Sequence, residues 1–446
     1  MAIVRLGWWR GGEVEMGDTS LTRYHDSIEY LFGLQKHGIK FGLNSTLRIL
    51  ERVGNPHEKL RFIHIAGTNG KGSTAAMLSS MLREHGLKVG LYTSPHLVRF
   101  TERFRIDDQE VKPERILKTF DRIYETLDPR EVPTFFEMTT AMGFLYFAEE
   151  RVDWAVVETG MGGRLDATNV IRPQVSIITN VSFDHQEYLG YTLSAIARQK
   201  AGIVKENVPL ISGACQPLVV GILKATCYKM HAPLYLLRKD FKVRRNGDGS
   251  FMYQGLRKRW NSLDVNLAGS HQMQNAALAL ASLEVLERRG LFSIDSDAVQ
   301  RGLVRVYWPA RLEVLSRDPL IILDGAHNPQ GAEALRDALR RKSFPYRKLH
   351  LIVGIMADKD IRGMLKTLLP LAETVIFTQP RYVRAASPEM LRRLARPFLK
   401  QHYVIADPAS AIEQAKRLAE PEDLICITGS LYFAGEIKEL FGEKTL

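Results

Sequence analysis

Short runs of apolar and β-branched residues alternate along the chain with stretches whose apolar positions recur every three or four residues. The runs predict strands at 62–66, 88–92, 153–158, 175–181 and 208–213. The helical spacing predicts helices at 74–85, 114–127, 135–150, 193–204, 217–230 and 271–288. This alternation implies a mostly parallel sheet covered on both faces. A small hairpin is predicted near 235–254, turning at Asn246-Gly247-Asp248-Gly249. Near Tyr307-Trp308-Pro309-Ala310-Arg311 the pattern restarts. A strand at Leu320–Asp324 follows, then strand-like runs at Leu349 to Val353, Thr374 to Thr378 and Leu424 to Thr428. The expected organisation is α/β in two units, 21–309 and a smaller 310–446, preceded by an extension over 1–20. Residues 1–15 are expected to be disordered, with Met16 as an alternative start.

A length of 446 residues suits two or three domains, and an ordinary apolar content supports full-sized cores. The net charge of +11 suits polyanionic partners. That charge is dispersed: Arg244-Arg245 and Arg257-Lys258-Arg259 form only small clusters, and no basic tail appears. Dispersed charge favours anionic small molecules over nucleic acid. Cys215, Cys227 and Cys426 lack metal-ligand spacing, and so sparse a set fits a reducing compartment. Arg10, Glu13 and Glu15 interrupt the N-terminus, which has no signal-peptide core. No stretch approaches the ~20 apolar residues of a membrane span. A cytoplasmic location without a membrane partner is expected.

The chemistry concentrates in Ala66-Gly67-Thr68-Asn69-Gly70-Lys71-Gly72-Ser73, between a predicted strand and a predicted helix. A glycine-rich turn there points backbone N–H groups and the positive end of a helix at one spot, which is a phosphate site. Lys71 adds a mobile cation. The spacing departs from G-x-x-x-x-G-K-[ST]: two residues separate Gly67 from Gly70, and Gly72 precedes the hydroxyl of Ser73.

Other polar residues fall at carboxyl ends of predicted strands, where open α/β sheets bind ligands. Ser94 follows one strand, Glu158 ends another, and Asp184 and His185 follow a third. A hydroxyl, a carboxylate and an imidazole on one rim suit magnesium held against nucleotide phosphates, although imidazole is the less usual ligand. Each has a plainer alternative: Ser94 a turn residue before Pro95, Glu158 a helix cap, His185 a surface or core histidine. Lys200 falls on the apolar face of its helix, four after Ile196 and three before Ile203. Such a lysine either snorkels to water or, turned inward, must be paired or lose its charge. A neutral amine there can take up carbon dioxide and become an anionic carbamate. The loop Gly160-Met161-Gly162-Gly163-Arg164-Leu165-Asp166-Ala167-Thr168-Asn169 allows close backbone approach and leaves Arg164 and Asp166 for specific contacts. In the second unit, Asp324 suits a ribose hydroxyl or an amino group, and His327 is either functional or a local cap.

Taken in order, GTNGKGST at 67–74, YTSPHLVRFTER at 92–103, ETGMGGRLDATN at 158–169, SFDHQEYLG at 182–190, RQKAGI at 198–203, PARLEV at 309–314, DGAHNP at 324–329 and TGSLY at 428–432 resemble the Mur ligase superfamily. The closest resemblance is to the folylpolyglutamate synthase/dihydrofolate synthase family, from about residue 20 to the end. It implies a nucleotide-binding N-terminal unit with the pterin site, and a Rossmann-like C-terminal unit for glutamate binding and closure over ATP. Gly67, Thr68, Asn69, Gly70, Lys71, Gly72, Ser73 and Thr74 would bind ATP, with Asn275, Arg311 and Asp324. Ser94 and Glu158 would hold one magnesium ion; Glu158, His185 and carbamylated Lys200 would hold a second. A monovalent cation is also compatible with the family. Thr134, Phe135, Phe136 and Glu137, with Leu165, Asp166 and Ala167, match segments that contact the pterin. Lys71, Lys200 and His327 are the catalytic candidates, His327 near the incoming amino acid.

The implied reaction is ATP-dependent amide formation through an acyl phosphate, joining L-glutamate to dihydropteroate, to folates, or to both. The stretch from Gly163 to Thr168 resembles the bifunctional kind. A monomer acting on small molecules, without nucleic acid, is expected. Two other classes share the loop. A small-molecule phosphotransferase would form ADP without glutamate. A nucleic-acid-dependent ATPase would bind nucleic acid with steep salt dependence, and its concentrated basic face is missing.

Overall fold

A computed structural model describes residues 19–38, 42–341 and 344–443. Most of the extension expected over 1–20 therefore lies outside the described residues. The larger sheet has eight strands, in spatial order Gln109–Glu110, Phe104–Ile106, Val89–Tyr92, Trp154–Glu158, Phe62–Ala66, Val175–Ile178, Leu210–Ser212 and Leu234–Leu236. All neighbours are parallel except the pairings made by Phe104–Ile106, which are antiparallel. The central strand Phe62–Ala66 is buried throughout, as its unbroken apolar character requires. It delivers the glycine-rich loop to the middle of the sheet's carboxyl edge.

One face of this sheet packs on the helices Lys71–Glu84, Ser270–Arg288 and Ser296–Arg305. The other packs on Thr19–Gly33, Asn44–Arg52, Pro113–Tyr124 and Phe135–Glu149. The helix predicted from residue 74 starts at Lys71 instead, because Gly70 takes the left-handed conformation (φ 81°) and caps it. Lys71, Gly72 and Ser73 thus form its first turn. Gly86 (φ 80°) follows its last turn as a left-handed stop. Between those ends nearly every residue is buried, because the sheet and two helices enclose it.

The predicted hairpin is narrower than its expected range. Lys242–Arg245 and Phe251–Gln254 pair across the Asn246–Gly249 turn, and Arg259–Leu263 adds a third strand. Leu234–Leu236 instead extends the main sheet, where its register with Leu210–Ser212 buries Leu236 and partly covers Leu234 and Tyr235. A second sheet of six strands runs Glu313–Arg317, Leu320–Asp324, Leu424–Thr428, Leu349–Val353, Thr374–Phe377 and Gln401–Val404. Only Glu313–Arg317 pairs antiparallel. The Mur-ligase-like arrangement of two α/β sheets is thus present. Glu313–Arg317 and Gln401–Val404 are partly exposed sheet edges, which the search for continuous apolar runs does not detect.

Helix Ser296–Arg305 reaches the phosphate-loop helix through a glycine. Ser80 Oγ donates to the Gly302 carbonyl at 2.8 Å, and a Cβ at Gly302 would lie 2.6 Å from Met81 Cα. Backbone cannot yield as a flexible side chain can. Gly302→Ala is therefore expected to cost about 1–3 kcal/mol, despite alanine's better helix propensity. The check is the urea unfolding midpoint, and an unchanged or raised midpoint would contradict the close-packing account.

Candidate active site

The loop owes its shape to the neighbouring strand end. A Cβ on Gly67 (φ 154°) would lie 1.8 Å from Thr179 Oγ1, so only glycine lets the two segments approach. Thr179 Oγ1 and Asn180 Nδ2 donate to the Asn69 carbonyl at 2.6 and 3.0 Å. Asn69 N donates to Asn180 Oδ1 at 3.0 Å, and Thr68 N to the Asn180 carbonyl at 3.1 Å. The Thr68 hydroxyl and Ser182 exchange two further bonds. With these groups fixed, the free N–H groups of the helix's first turn face a cavity of about 420 Å³. Gly70 and Gly72 face other elements. A Cβ there would lie 2.5 Å from Asn275 Oδ1 and 2.7 Å from Trp308 Nε1, respectively. The departure from the common loop spacing thus makes room for an indole. Arg105 lies over the Trp308 ring, 5.4 Å from its centroid.

Gly67 to Ser73, Ser94, Glu158, His185, Lys200, Asn275, Arg311, Asp324 and His327 all line this cavity. Thr74 does not. It is fully buried on the core side of the helix, and its N–H bonds the Gly70 carbonyl at 2.9 Å. Lys71 Nζ stands 3.7 Å from Glu158 Oε1 and donates to the Thr68 carbonyl at 3.4 Å. Glu158 is only 5% exposed, and its other contact is a long bond from Ser94 N at 3.4 Å. It caps no helix. Burial raises its pKa against the pull of Lys71. A buried carboxylate with such sparse partners fits a cation.

Lys200 does not snorkel: it is 3% exposed, and Nζ donates to the Gly67 carbonyl at 2.8 Å. Burial first, then the Lys71 charge, pushes its pKa down to about 7. His185 adopts a left-handed backbone (φ 49°) at the cavity wall. Its side chain is 42% exposed, so desolvation lowers its pKa only in part, and the neutral imidazole is the form that can ligate a metal. Among the described residues no three His, Cys, Asp or Glu side chains stand together as a metal group, so any cation would draw on the Ser94 hydroxyl and Lys200 as well.

On the second-sheet side, both Asp324 oxygens accept backbone bonds, from Leu312 N at 3.1 Å and Ala326 N at 2.9 Å. Burial raises its pKa, while the Arg311 charge opposes that rise. Arg311 is held between two left-handed residues, Ala310 (φ 54°) and Leu312 (φ 53°). His327 is not the cap of helix Pro329–Arg340. Asn328 caps it, accepting from Gly331 N at 2.8 Å, and His327 Nδ1 donates to the Gly325 carbonyl at 2.9 Å.

The segments expected to meet a pterin are not on the cavity wall. Thr134 and Glu137 satisfy each other as a capping box, at 2.7 and 3.2 Å. Phe135 stacks on Phe32 with centroids 5.6 Å apart, under the Arg103 guanidinium at 5.0 Å. Phe136 lies against Gly160, where a Cβ would come within 2.5 Å of its ring. Asp166 is not available for outward contacts. It is buried and takes bonds from Met161 N, Thr168 N and Thr168 Oγ1. Ala167 is also buried, Leu165 is partly buried, and Arg164 is exposed. Phe136, packed on Gly160, sits beside the cavity that Gly160 lines.

The fold adds Arg103 and Lys359, which the linear pattern does not single out, and gives the expected Asp184 its partners. Arg103 is 6% exposed, bonds His96 Nδ1 through Nε at 2.8 Å, and has no carboxylate ion pair among the described residues. Asp184 is gripped by Lys359 Nζ at 2.7 Å and Asn328 Nδ2 at 3.0 Å. Burial alone would raise Asp184, but the His327 hydrogen bond and the nearby cations hold its carboxyl far below the usual range. For Lys359 the linear hint is a lysine between two aspartates after a buried strand, Asp358-Lys359-Asp360.

Among the described residues no helix is long and apolar enough to cross a membrane. The Mur ligase middle domain matches residues 65–283, and the Mur ligase glutamate ligase domain matches residues 310–431. A dihydrofolate synthase/folylpolyglutamate synthase of Bacillus subtilis is 34% identical, over 94% of this chain and 99% of its own. The Mycobacterium tuberculosis folylpolyglutamate synthase complexed with ADP and AMPPCP superposes with a TM-score of 0.89 at 33% identity, covering 95% of this chain and 99% of that one. A bifunctional folylpolyglutamate synthase/dihydrofolate synthase with Mn, AMPPNP and L-glutamate bound gives 0.84 at 30%, covering 94% and 98%. Domains, order of motifs and whole-chain likeness agree: the chain belongs to the folylpolyglutamate synthase/dihydrofolate synthase family of the Mur ligases, and it is an ATP-dependent ligase.

Proposed function

We propose that the chain joins L-glutamate to the carboxyl group of dihydropteroate and of folates, with ATP as the activating substrate. The observation that carries this reading is the single cavity in which a phosphate loop, the buried Glu158 and Lys200, and the Asp324–His327 segment face one another. In this reading residues 21–309 bind ATP and the pterin-bearing acid, and residues 310–446 bind glutamate and complete the ATP site. Both walls come from one chain, which supports action as a monomer.

The first-turn N–H groups and Lys71 hold and neutralise the ATP phosphates while the acceptor carboxylate attacks the γ-phosphorus. The product is an acyl phosphate, and ADP leaves. The glutamate amine then attacks the acyl carbon, its proton departs and phosphate is released. Arg103 suits an acidic substrate group, because a buried guanidinium without a carboxylate gains from a substrate that brings one. His327 lines the cavity and can orient the amine. In this reading Phe135 and Phe136, with Leu165 and Ala167, support the pterin end. Closing the cleft keeps water from the acyl phosphate.

Ser94 and Glu158, and Glu158 with His185 and Lys200, fit divalent cations, which the chain would use as magnesium. Such ions screen the phosphate charge when bound. Lys200 fits a carbamate: its amine is buried, its pKa is near neutrality, and an anion there would offset the positive charge of Lys71. A monovalent cation would add to the same neutralisation.

Glutamate-dependent ADP release with both dihydropteroate and tetrahydrofolate is the expected result of an acceptor assay. Release with tetrahydrofolate alone would leave polyglutamylation as the only activity, and glutamate-independent release would point to a phosphotransferase. Lys200→Ala is expected to abolish turnover, without rescue by bicarbonate and with partial rescue by a small carboxylate; near-normal turnover in the plain variant would refute the carbamate role. Lys200 also sets a pH dependence. Between its folded pKa of about 7 and its ordinary 10.5, the unfolded chain holds a proton that the folded chain does not, so stability rises with pH. Below that window both states are protonated and the burial penalty is complete. In protein freed of carbon dioxide, the stability advantage of Lys200→Met over the parent is expected to shrink between about pH 7 and about pH 10, read from urea midpoints.

A further inference from the structure

The cleft between the two sheets is bridged by a polar network of which the proposed chemistry uses only His327 and the loop residue Asn69. Asn69 Nδ2 donates to Asn328 Oδ1 at 3.0 Å and Gln330 Oε1 at 2.9 Å, and Asn328 Nδ2 donates back to Asn69 Oδ1 at 2.9 Å. Ser182 Oγ donates to Gln330 Oε1 at 2.8 Å. At Asp184, the Lys359 ammonium meets one carboxylate oxygen at 2.7 Å, while Asn328 Nδ2 reaches the other at 3.0 Å. His327 Nε2 stands 3.5 Å from that second oxygen. Lys359 and Asp184 are both largely buried, with side-chain exposures of 12% and 7%.

The first-domain members are not bystanders. Asn69 belongs to the phosphate loop, and its own carbonyl is bonded to Thr179 and Asn180. Asp184 directly precedes His185, and its Oδ1 accepts from the His185 N–H at 2.9 Å. The second-domain members stand at the start of helix Pro329–Arg340 and in the turn after strand Leu349–Val353. Opening the cleft would return all these groups to water together. Buried polar pairs gain little net stability over water, but they demand one geometry. Such a network therefore favours a single closed arrangement over a range of partly closed ones.

We propose that Gln330, Asn328 and Lys359 form a latch that transmits closure of the second domain to the phosphate loop through Asn69 and Asp184, so that nucleotide and glutamate binding are energetically linked. The glutamate half of this statement rests on the ligase reading. Gln330 and Lys359 are positioning residues: they act through Asn69 and Asp184, and they are the two to vary, because Asn328 also caps its helix. Linkage is reciprocal, so each ligand raises affinity for the other by the same factor.

The test measures binding of a non-hydrolysable ATP analogue and of L-glutamate by calorimetry, each alone and in the presence of the other. The parent chain is expected to show about 5- to 150-fold mutual tightening. In Gln330→Ala and Lys359→Met this factor is expected to fall toward one, and to fall fully in the double variant. The analogue's affinity in the absence of glutamate should fall together with the loss of closure, and Lys359→Arg should keep most of the linkage. In turnover, KM for glutamate at saturating ATP and KM for ATP at saturating glutamate should rise together, by about tenfold. A merely structural role would lower thermal stability and leave both KM values near the parent. Small-angle scattering with the analogue alone reads closure independently of any ligase activity. Variants that close like the parent, or that keep its mutual tightening, overturn the latch, as does a parent chain with no tightening. If nucleotide closes the parent and not the variants while glutamate neither binds nor is consumed, the ligase reading fails and the latch stands.

Discussion

The site depends on the close approach of the Gly67 loop to the end of strand Val175–Ile178. The gap there admits no Cβ at Gly67, and Thr179, Asn180 and Ser182 fill the loop's backbone bonds from the side. That clamp leaves the first-turn N–H groups of helix Lys71–Glu84 unpaired toward the cavity. It also turns the Gly67 carbonyl outward to Lys200. A looser loop would find its own internal bonds and lose both features.

Around this clamp the protein buries charge that it does not fully pair. Glu158 has one lysine at 3.7 Å and a long backbone bond, Lys200 has a carbonyl, and Arg103 has a histidine. Each arrangement is unfavourable in an empty site, because desolvation exceeds what these partners return. A ligand of opposite charge or a cation at each would reverse that balance. The partners that these groups lack are the ones that ATP, a divalent ion and two carboxylic acids would bring. The contrast with Asp166 and Glu137 is informative. Those carboxylates are equally buried but bond to their own segments, Asp166 to its loop and Glu137 to the Thr134 N–H of its capping box, and they hold shape.

Much of the fold is legible in the linear pattern because buried parallel strands are continuous apolar runs and their helices have one repeat. The runs at 62–66, 154–158, 320–324 and 424–428 are each buried through their length, apart from the partly exposed Leu320. Edge strands such as Glu313–Arg317 escape, since half-exposed positions carry no continuous run. The start of the phosphate-loop helix also escapes by three residues, because a left-handed glycine begins it ahead of the first apolar position. In the site, the residues that touch the cavity were mostly legible, and the acceptor segments were legible only as positions. That Thr134 and Glu137 bond each other, and that Thr74 turns to the core, follows from packing against other elements.

The sequence by itself determined the loop, the strand ends that carry Ser94, Glu158 and His185, and the family to which their order belongs. These are local facts: a glycine pair, a lysine and a strand-to-helix turn need only neighbours in the chain. Tertiary structure alone decided that Lys200 points inward to Gly67, that Gly72 leaves room for Trp308, and that Asn69 reaches across the cleft to Asn328. In each case the deciding partner lies more than a hundred residues away. Burial, and with it the charge state of an amine or the bonding of an amide, is set by which distant elements the fold brings against it.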